Sequence, residues 1–519
     1  MFREGTFAGR VPMRLGWRLE TLPPMTLKIS LSSGAPELQR ADVLVVPVLK
    51  SKLSEDPSIQ RLDQKLDGQI KALCAKADFT ARADQIFEMP TLGHLTASRL
   101  LLIGVGDAEP PSEARLRHLI ATAIRSCNGH GATSVAVLIP WKLPVESLRT
   151  ISEGVILGAY RFDRYFTGER RARNKIAQVW LLQAGRATDA AKSAIELGKK
   201  VANAVCIARD AVNEPPNEMT PAALAQLAGD VARRGKLKIR VLDEKGIERM
   251  GMRLLAAVGQ GSENTPRFVH LTYSPARKAK KRIVFLGKGL TFDSGGLCIK
   301  PAAGMQDMKS DMAGAAAVIG LMSAVADLKP NAEIHGLLVV AENMPDGSAY
   351  RPGDVFTSLD GKTVEIINTD AEGRLALADG LAYARRLNPD LIVEVSTLTG
   401  ACMVALGKTT SAYYSTTEDW SARFGAAAEQ AGESFWRMPL LSELREQLKS
   451  DIADLKHTGE RWGGSITAAL FLREFVGTVP FIHCDIAGPA LSERTKGTVP
   501  KGGTGHPVLT FVRFVEALR

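Results

Sequence analysis

Short runs of branched apolar residues alternate along this chain with segments of helical periodicity. A β-branched run such as 41–50 has the pattern of a strand that is buried on both faces, whereas 112–128 and 145–160 repeat their apolar residues at helical spacing. Further strand patterns lie at 26–34, 98–107, 133–139 and 177–183. Strands that alternate with helices form layered α/β domains whose sheets are largely parallel. The first third of the chain is therefore predicted to be an α/β domain.

A second α/β segment begins after a strong break in helical pattern. A long helix is predicted from Thr188, a suitable N-cap, and it ends at the Pro-Pro pair of residues 215 and 216. Thr220 and Pro221 then start another helix. Strands are predicted at 238–242, 268–273, 282–287, 333–341 and 391–397, with helices at 313–327 and 375–387. The expected organisation is an extension at 1–24, an N-terminal domain at 25–187, a connecting helix at 188–211 and a second domain at 212–519.

The first 24 residues are basic and lack a continuous apolar segment. Arg3, Arg10, Arg14 and Arg18 are interrupted by Glu4 and Glu20. A secretory signal needs an apolar stretch of 7–15 residues, so that reading is excluded, and the acidic residues argue against a transit peptide. Residues 1–24 are predicted to be a flexible extension outside the fold.

The composition excludes several broad classes. Of the 519 residues, 45% are hydrophobic and 24% are charged, as in ordinary globular proteins rather than disordered or collagen-like ones. No uncharged apolar run approaches the 18–20 residues of a membrane span, so no membrane partner is expected. The six cysteines are widely spaced and contain no C-x-x-C pair. A reducing, cytoplasmic location is therefore expected.

Positive charge is concentrated in the first part of the chain. Residues 1–200 contain 29 Lys and Arg against 20 Asp and Glu, which leaves almost all of the net charge of +10 in this part. The basic residues are densest in 161–175, which holds Arg161, Arg164, Arg170, Arg171, Arg173 and Lys175. Such a patch is compatible with binding DNA or another polyanion, and equally with a solvated surface or a subunit contact. No nucleic-acid recognition motif accompanies it.

Common catalytic motifs are absent from the sequence. Gly104-Val105-Gly106 lacks the third glycine of a dinucleotide-binding loop, and there is neither a P-loop nor a G-x-S-x-G elbow. No two histidines have the H-E-x-x-H spacing of zinc proteases. What remains is a set of carboxylates that follow predicted strands.

These carboxylates form two groups. Asp293 lies in the glycine-rich turn after the strand at 283–287, and Asp311 precedes a helix of small residues. Asp370 and Glu372 follow a strand at 364–367 and would point the same way on an extended backbone. Ligands bind at the carboxyl edge of an α/β sheet, where these groups are expected to meet. Acids at helix starts are also common as simple caps, so either group alone leaves that alternative open.

Several carboxylates at one point require positive compensation. Buried like charges repel strongly, and divalent cations prefer carboxylate ligands. Two cations about 3.5–4 Å apart are the arrangement that many hydrolases use. The sequence therefore predicts a two-metal hydrolytic site.

The residues around these carboxylates resemble the leucyl aminopeptidase, or cytosol aminopeptidase, family. Residues 368–375 (NTDAEGRL) resemble its signature octapeptide, and 287–296, 300–301 and 307–316 match the segments that carry its other metal ligands. Supporting matches lie at 211–217, 397–401, 462–469 and 485–488. The resemblance is dense over 150–519 and loose over 25–150.

The resemblance implies a role for each matching residue. Asp293 and Glu372 would bridge two divalent ions (Mn²⁺, Zn²⁺ or Mg²⁺), with Lys288 and Asp311 completing one site and Asp370 the other. A hydroxide between the metals would attack the peptide carbonyl. The two catalytic residues would be Lys300, which would stabilise the oxyanion, and Arg374, which would hold a bicarbonate ion as general base. The pocket for the first side chain, expected to prefer leucine and other apolar residues, would be formed by Met308, Thr397, Gly400, Ala487 and Ala490.

The family also implies an architecture and an assembly. It predicts an N-terminal macro-like α/β domain, a mixed-sheet catalytic domain of zinc-peptidase type, and a homohexamer. Two alternatives remain open at this point. An additional DNA-binding role, transcriptional or in recombination, would use the basic N-terminal domain, and a two-metal phosphoesterase would use the same carboxylates on a different substrate.

Overall fold

The structure is a computed structural model that describes residues 27–50, 53, 55–107, 110–170, 175–183 and 188–518. The predicted extension at 1–24 lies outside the described residues, as do Arg171 and Arg173 of the basic segment.

The first sheet has six strands in the order β1-β6-β5-β2-β4-β3. Every neighbouring pair is parallel except the edge strand β3, which is antiparallel to β4. The strands are β1 (Lys28–Ser32), β2 (Val43–Leu49), β3 (Ile86–Pro90), β4 (Arg99–Gly106), β5 (Ser134–Leu138) and β6 (Gln178–Leu182). The helices are α1 (Pro57–Lys65), α2 (Gln69–Lys76), α3 (Glu113–Gly129), α4 (Ser147–Ala159) and α5 (Asp189–Asn213).

Strand β2 shows why this sheet is covered on both faces. All seven of its residues are buried, as expected for a strand between two helical layers. Val43 and Val45 join the core that contains α3 and α4, whereas Leu44 and Val46 join a separate core with α1 and α2. Because side chains alternate across a strand, one continuous apolar run supplies both cores.

The second sheet has eight strands in the order β15-β14-β17-β13-β9-β10-β8-β7. Its central strands β17, β13, β9 and β10 are parallel, while β14, β8 and β7 are each antiparallel to an inner neighbour, so the sheet is mixed. The strands are β7 (Lys238–Leu242), β8 (Arg267–Tyr273), β9 (Arg282–Asp293), β10 (Glu333–Asn343), β13 (Leu391–Ser396), β14 (Ser411–Ser415), β15 (Phe435–Arg437) and β17 (Phe481–Asp485). Short strands form two small sheets: β11 (Val355–Thr357), β12 (Thr363–Glu365), β16 (Leu455–Lys456), β18 (Leu491–Ser492) and β19 (Gly502–Gly503).

Helices cover both faces of this sheet. On β9, Ile283 and Phe285 face a core with α5, α6, α10 and α15, whereas Val284 and Leu286 face a core with α8, α11 and α14. The helices are α6 (Pro221–Gly235), α7 (Glu244–Met250), α8 (Arg253–Gly259), α9 (Ala302–Met305), α10 (Ala313–Leu328), α11 (Glu372–Arg385), α12 (Gly400–Leu406), α13 (Glu418–Ala431), α14 (Gly464–Arg473) and α15 (Val508–Glu516). The parallel central strands therefore end together at one edge, between two helical layers.

A buried ion cluster joins the helices of the first sheet to α15. Glu153 on α4 is fully buried, and its carboxylate lies 2.7 Å from Arg117 Nε, 3.0 Å from Arg149 Nε and 3.4 Å from Arg513 Nη2. Burial alone would raise the pKa of Glu153, but the three guanidiniums outweigh it and lower the pKa to about 2. Arg117 also donates to the carbonyl of Ala431 at 2.7 Å, so the cluster links both parts of the chain.

One helical stretch is apolar enough, by length and composition, to cross a membrane. Among the described residues this stretch is Ala302–Leu328, and its most apolar segment of 18 residues is 78% buried inside the protein. It contains α10, which packs against β9 and β13 in the main core. The α10 part of this stretch is therefore a core helix of the second domain.

The structure corrects the predicted end of one strand. Strand β9 continues past Gly287 to Asp293, so Lys288 lies inside the strand and not in the turn that follows it. The predicted strand ended at Gly287, with a glycine-rich turn over residues 288–296. Gly287 instead allows α10 to approach the strand, since a Cβ there would lie 2.6 Å from the Cα of Ala315.

Candidate active site

Five of the predicted site residues come from three neighbouring segments. Lys288 and Asp293 lie on β9, Asp311 comes just before α10, and Asp370 and Glu372 lie where α11 begins. The backbone at Asp370 is a 3₁₀ turn, Thr369–Ala371, and Glu372 is already helical. The expected extended backbone is thus absent here, and a helical turn brings the two carboxylates to the same place.

Two lysines lie among the carboxylates. Lys288 Nζ is 2.9 Å from Asp311 Oδ2, 2.8 Å from Glu372 Oε1 and 3.2 Å from the carbonyl oxygen of Thr397. Lys300 Nζ is 2.8 Å from Asp293 Oδ2 and also pairs with Asp370.

The carboxylates themselves are equally close. One oxygen from each of Asp293, Asp370 and Glu372 lies within 4.8 Å of the others, which is close enough to hold a cation. The structure therefore brings together all five residues predicted as metal ligands, together with Lys300.

Burial and mutual repulsion shift the pKa values of this cluster. Burial and the neighbouring Glu372 raise the pKa of Asp293 to about 6, and burial raises that of Asp311 to about 8 despite the adjacent Lys288. For Lys288, burial alone would lower the pKa, but Asp311 and Glu372 outweigh it and raise the pKa above the usual lysine value. Without metal, the cluster therefore binds more protons than free side chains would at neutral pH.

Glycine at two positions makes this arrangement possible. A Cβ at Gly373 would lie 2.6 Å from Nζ of Lys288, so only glycine leaves room for that ammonium group. A Cβ at Gly314 would lie 2.1 Å from the carbonyl oxygen of Val395, so α10 contacts β13 backbone to backbone. This close approach sets the position of Asp311, three residues before Gly314.

A buried amide that the sequence analysis did not single out connects the two carboxylate segments. Asn343, at the end of β10, donates its Nδ2 to Asp293 Oδ1 at 2.8 Å and to the carbonyl oxygen of Thr369 at 3.0 Å. Thr369 in turn donates its hydroxyl to the carbonyl of Gly295 at 2.7 Å. No sequence signal distinguished Asn343, because β10 already contains the polar residues Glu333, His335 and Glu342.

Arg374 lies beside the cluster on α11. Its Nη1 donates to the carbonyl of His457 at 2.8 Å, while its buried Nε has no hydrogen-bond partner among the described residues. Burial lowers the pKa of Arg374 to about 10, so the group is still a cation at neutral pH. A buried cation with a free donor is able to bind an anion.

The predicted pocket residues differ in how much surface they offer. Met308, Thr397 and Ala487 are partly exposed, and Gly400 is exposed with open space where a Cβ would stand. Ala490 is only 2% exposed and packs in the main core, so it has the least surface to offer a substrate.

Asp485, at the end of β17, organises the loop that contains part of this pocket. Its carboxylate accepts from the backbone N–H groups of Leu398 and Ala487 and from the hydroxyl of Thr399. Thr397 at the start of the loop donates its hydroxyl to Asp311 at 2.7 Å. The loop is thus tied to the carboxylate cluster.

Comparison with known families agrees with this geometry. A model of the cytosol aminopeptidase family, catalytic domain, matches residues 206–512, and a model of that family's N-terminal domain matches residues 45–168. The chain belongs to the cytosol aminopeptidase family. A probable cytosol aminopeptidase of Aquifex aeolicus is 43% identical over 461 residues, which cover 88% of this chain and 92% of the relative. The predicted family is confirmed, and the protein is a metallo-aminopeptidase.

Two solved structures have a similar fold. A tomato leucine aminopeptidase mutant superposes with a TM-score of 0.85 at 32% identity, covering 95% of this chain and 96% of the other. A bottromycin maturation enzyme, BotP, solved in complex with Mn, superposes with a TM-score of 0.81 at 37% identity and covers 92% and 99%. The predicted architecture of an N-terminal α/β domain followed by a mixed-sheet catalytic domain is confirmed.

Proposed function

We propose that this cytosol aminopeptidase uses two divalent cations to remove the N-terminal residue of peptides. Asp293 and Glu372 would contact both cations, Lys288 and Asp311 would complete one site, and Asp370 the other. The observation that supports this most strongly is the convergence of Asp293, Asp370 and Glu372 within 4.8 Å in a largely buried cluster. When bound, such cations supply Lewis acidity toward water and toward the peptide carbonyl.

The residues present fit divalent cations. Glu372 is buried and its Oε2 has no hydrogen-bond partner among the described residues, an arrangement that is costly unless a cation occupies that side. Carboxylates with one amine form a set that suits Mn²⁺, Mg²⁺ or Zn²⁺ without strong selectivity. The Mn in the BotP complex supports Mn²⁺ as the first cation to test.

Two cationic side chains would act on the substrate. Lys300 carries a raised pKa because Asp293 and Glu372 outweigh the effect of burial, so it remains a charged donor at neutral pH. It would donate to the carbonyl oxygen as negative charge develops, and loss of such a donor costs about 10²–10³ in kcat. Arg374 would hold bicarbonate through its free Nε, because a guanidinium matches a planar oxyanion. Bicarbonate held there would supply a general base beside the cluster.

Substrate choice would follow from the open side of the cluster. Thr397, which bonds to Asp311, would form a pocket for leucine-sized apolar side chains together with the partly exposed Met308 and Ala487 and the exposed Gly400, with Ala490 behind them. Comparing kcat/KM across amino-acid p-nitroanilides tests this preference.

The decisive experiment measures metal content and activity together. Metal-depleted wild-type protein should bind two Mn²⁺ per chain and regain hydrolysis of leucine p-nitroanilide. Glu372→Ala should lower kcat below about a tenth of wild type in Mn²⁺-replete buffer. Asp307→Asn is the matched control, because Asp307 is an exposed acid four residues before Asp311 and should be silent. One Mn²⁺ per chain at saturation, or an active Glu372→Ala variant, would contradict the proposal.

A homohexamer in the cytoplasm remains part of the proposal. The names of the curated relatives as cytosol aminopeptidases support the location. Val404 is 90% exposed and Trp462 74% exposed, and burial of these side chains between subunits would be favourable. Light scattering coupled to size-exclusion chromatography tests the hexamer.

The DNA-binding alternative remains a prediction. Within the basic segment, Arg164 pairs with Glu214 and Lys175 with Asp163, so part of its charge is already neutralised by neighbouring acids. A gel shift that weakens steeply with salt would support phosphate contacts.

A further inference from the structure

Asn343 has a place at the junction of three segments. It is fully buried at the end of β10 and lies opposite Asp293 in the parallel pairing of β10 with β9. Its backbone carbonyl accepts from both the N–H and the hydroxyl of Ser294, at 3.0 and 2.7 Å. Its side-chain amide bonds to Asp293 and to Thr369, as described above. One residue therefore connects the turn after β9 to the turn that carries Asp370.

The two oxygens of Asp293 have different surroundings. Oδ1 accepts two hydrogen bonds, from Asn343 Nδ2 at 2.8 Å and from the backbone N–H of Gly295 at 2.9 Å. A carboxylate oxygen has about two lone-pair positions, so protein donors saturate Oδ1. Oδ2 faces Lys300 Nζ at 2.8 Å, on the side of the cationic and carboxylate groups of the cluster.

The orientation of the Asn343 amide is determined by its neighbours. Exchanging its nitrogen and oxygen would place Oδ1 against two acceptors, Asp293 Oδ1 and the carbonyl oxygen of Thr369. In the observed orientation Oδ1 is buried without a hydrogen-bond partner among the described residues, beside Gly296. A Cβ at Gly296 would lie 2.8 Å from this oxygen, so glycine there leaves the amide its space.

We propose that Asn343 is a positioning residue that decides which oxygen of Asp293 serves the metal ions. By holding Oδ1, together with the N–H of Gly295, it leaves Oδ2 as the oxygen available to the cations and prevents rotation of the carboxylate. The inference rests on the proposed two-metal site and goes beyond it, because it assigns ligation to one named oxygen. Residues that orient metal ligands in this way typically contribute 10–100-fold to metal affinity.

The first test compares metal affinity with stability. Asn343→Ala and Asn343→Leu remove the donor, one leaving space and the other keeping approximate shape. Mn²⁺ titrated calorimetrically into metal-depleted protein should bind at least about tenfold more weakly to both variants than to wild type. Thr291→Val is the control: it removes a buried hydrogen bond between the same two strands, from the Thr291 hydroxyl to the carbonyl of Ala341, without touching a carboxylate. It should lower the melting temperature of the metal-depleted protein and leave the Mn²⁺ affinity within about threefold of wild type.

The second test needs no variant and therefore does not depend on their folding. In a crystal structure of the Mn²⁺-loaded wild-type protein, Asp293 Oδ2 should contact metal while Oδ1 keeps both N–H donors. An Oδ1 atom on the metal, or wild-type Mn²⁺ affinity in both Asn343 variants, would overturn the role of Asn343 and leave the two-metal site standing. Wild-type protein that binds no Mn²⁺ would instead refute the proposed site itself, and this inference with it.

Discussion

Gly373 has Lys288 in the space where any other residue would carry its Cβ. The clash would be with the end of a side chain, yet Lys288 is itself buried and held by two carboxylates, so it has little room to move. Alanine favours helix over glycine, so Gly373→Ala should not harm α11 itself.

Gly373→Ala is therefore expected to lower kcat by at least about tenfold and to weaken Mn²⁺ binding, because Lys288 must leave its position. Steady-state kinetics and Mn²⁺ titration measure these effects, and the melting temperature of the metal-depleted protein should fall by only a few degrees. Full activity in Gly373→Ala would show that Lys288 is dispensable at the site.

Metal binding should also release protons. The raised pKa values of Lys288, Asp311 and Asp293 mean that the metal-free cluster retains protons near neutral pH, and ligands must lose theirs to bind a cation. The apparent Mn²⁺ affinity should therefore rise with pH between about 6 and 8. Calorimetry at pH 7 in two buffers of different ionisation enthalpy measures the proton count, and equal binding enthalpies in both would contradict the prediction.

At the residue scale, the sequence predicted the metal ligands more completely than the residues that hold those ligands in place. Asp293, Asp370 and Glu372 were visible because two groups of carboxylates follow predicted strands, and the two groups together are harder to explain as helix caps than either group alone. Asn343 and Gly373 were not, because an amide and a glycine become informative only when their neighbours in space are known. Lys288 was assigned through the family resemblance, since a lysine inside a strand gives no signal of its own.

Helix α10 packs unusually close to the sheet. Gly314 contacts the backbone of Val395 and Gly287 contacts Ala315, so the helix and the strands approach without side chains between them. Asp311 precedes the helix, and its position therefore depends on this contact.

Gly314→Ala should push α10 away from β13 and lower both stability and activity. Overpacking of a core costs about 1–3 kcal/mol, and the new Cβ would meet a backbone oxygen that cannot rotate away. Gly229→Ala is the matched control, because Gly229 lies inside α6 with nothing within 4 Å of a Cβ. The control should be neutral or slightly stabilising. Thermal melting and kcat measure both variants, and an unchanged Gly314→Ala variant would refute the close contact.

At the element scale, prediction succeeded where the apolar pattern agreed with the residues that start or end a helix or strand. Helix α6 begins where the sequence placed it, because Thr220 and Pro221 mark a clear start, and strand β7 has the predicted bounds. The predicted end of β9 was wrong, because Gly287 and Gly289 allow α10 to approach the strand and do not form a turn. No bounds were predicted for β14, α13 or β17. A short apolar run does not distinguish a strand from a helix until the segments that pack against it are known.

Glu153 shows how charge stabilises the whole molecule. Its carboxylate is shared by Arg117 and Arg149 from the first part of the chain and by Arg513 from the last helix. The pKa is lowered to about 2 from an ordinary value near 4.5, so the carboxylate contributes its full stability above pH 4.5. That contribution is lost progressively as the pH falls from 4.5 toward 2.

Glu153→Gln should destabilise the protein at neutral pH by about 3–5 kcal/mol, because it leaves buried guanidiniums without their counter-charge. Its melting temperature should also depend less on pH between 4.5 and 2 than that of wild type. Glu418→Gln removes the exposed pair with Arg437 and serves as control, with little effect expected. Parallel pH profiles for wild type and Glu153→Gln would exclude the linkage.

The packing of α10 also has a consequence for synthesis on the ribosome. The cover of this helix includes α15, where Val508 would lie 2.8 Å from a Cβ on Gly320, and α15 is made long after α10. About 180 residues separate the end of α10 from Val508. At a translation rate of roughly 5–20 residues per second, Val508 is therefore made about 10–40 s after α10 is complete. During this interval the nascent chain leaves one face of this apolar helix uncovered, and chaperones that bind such segments should engage it between translation of Leu328 and translation of Val508.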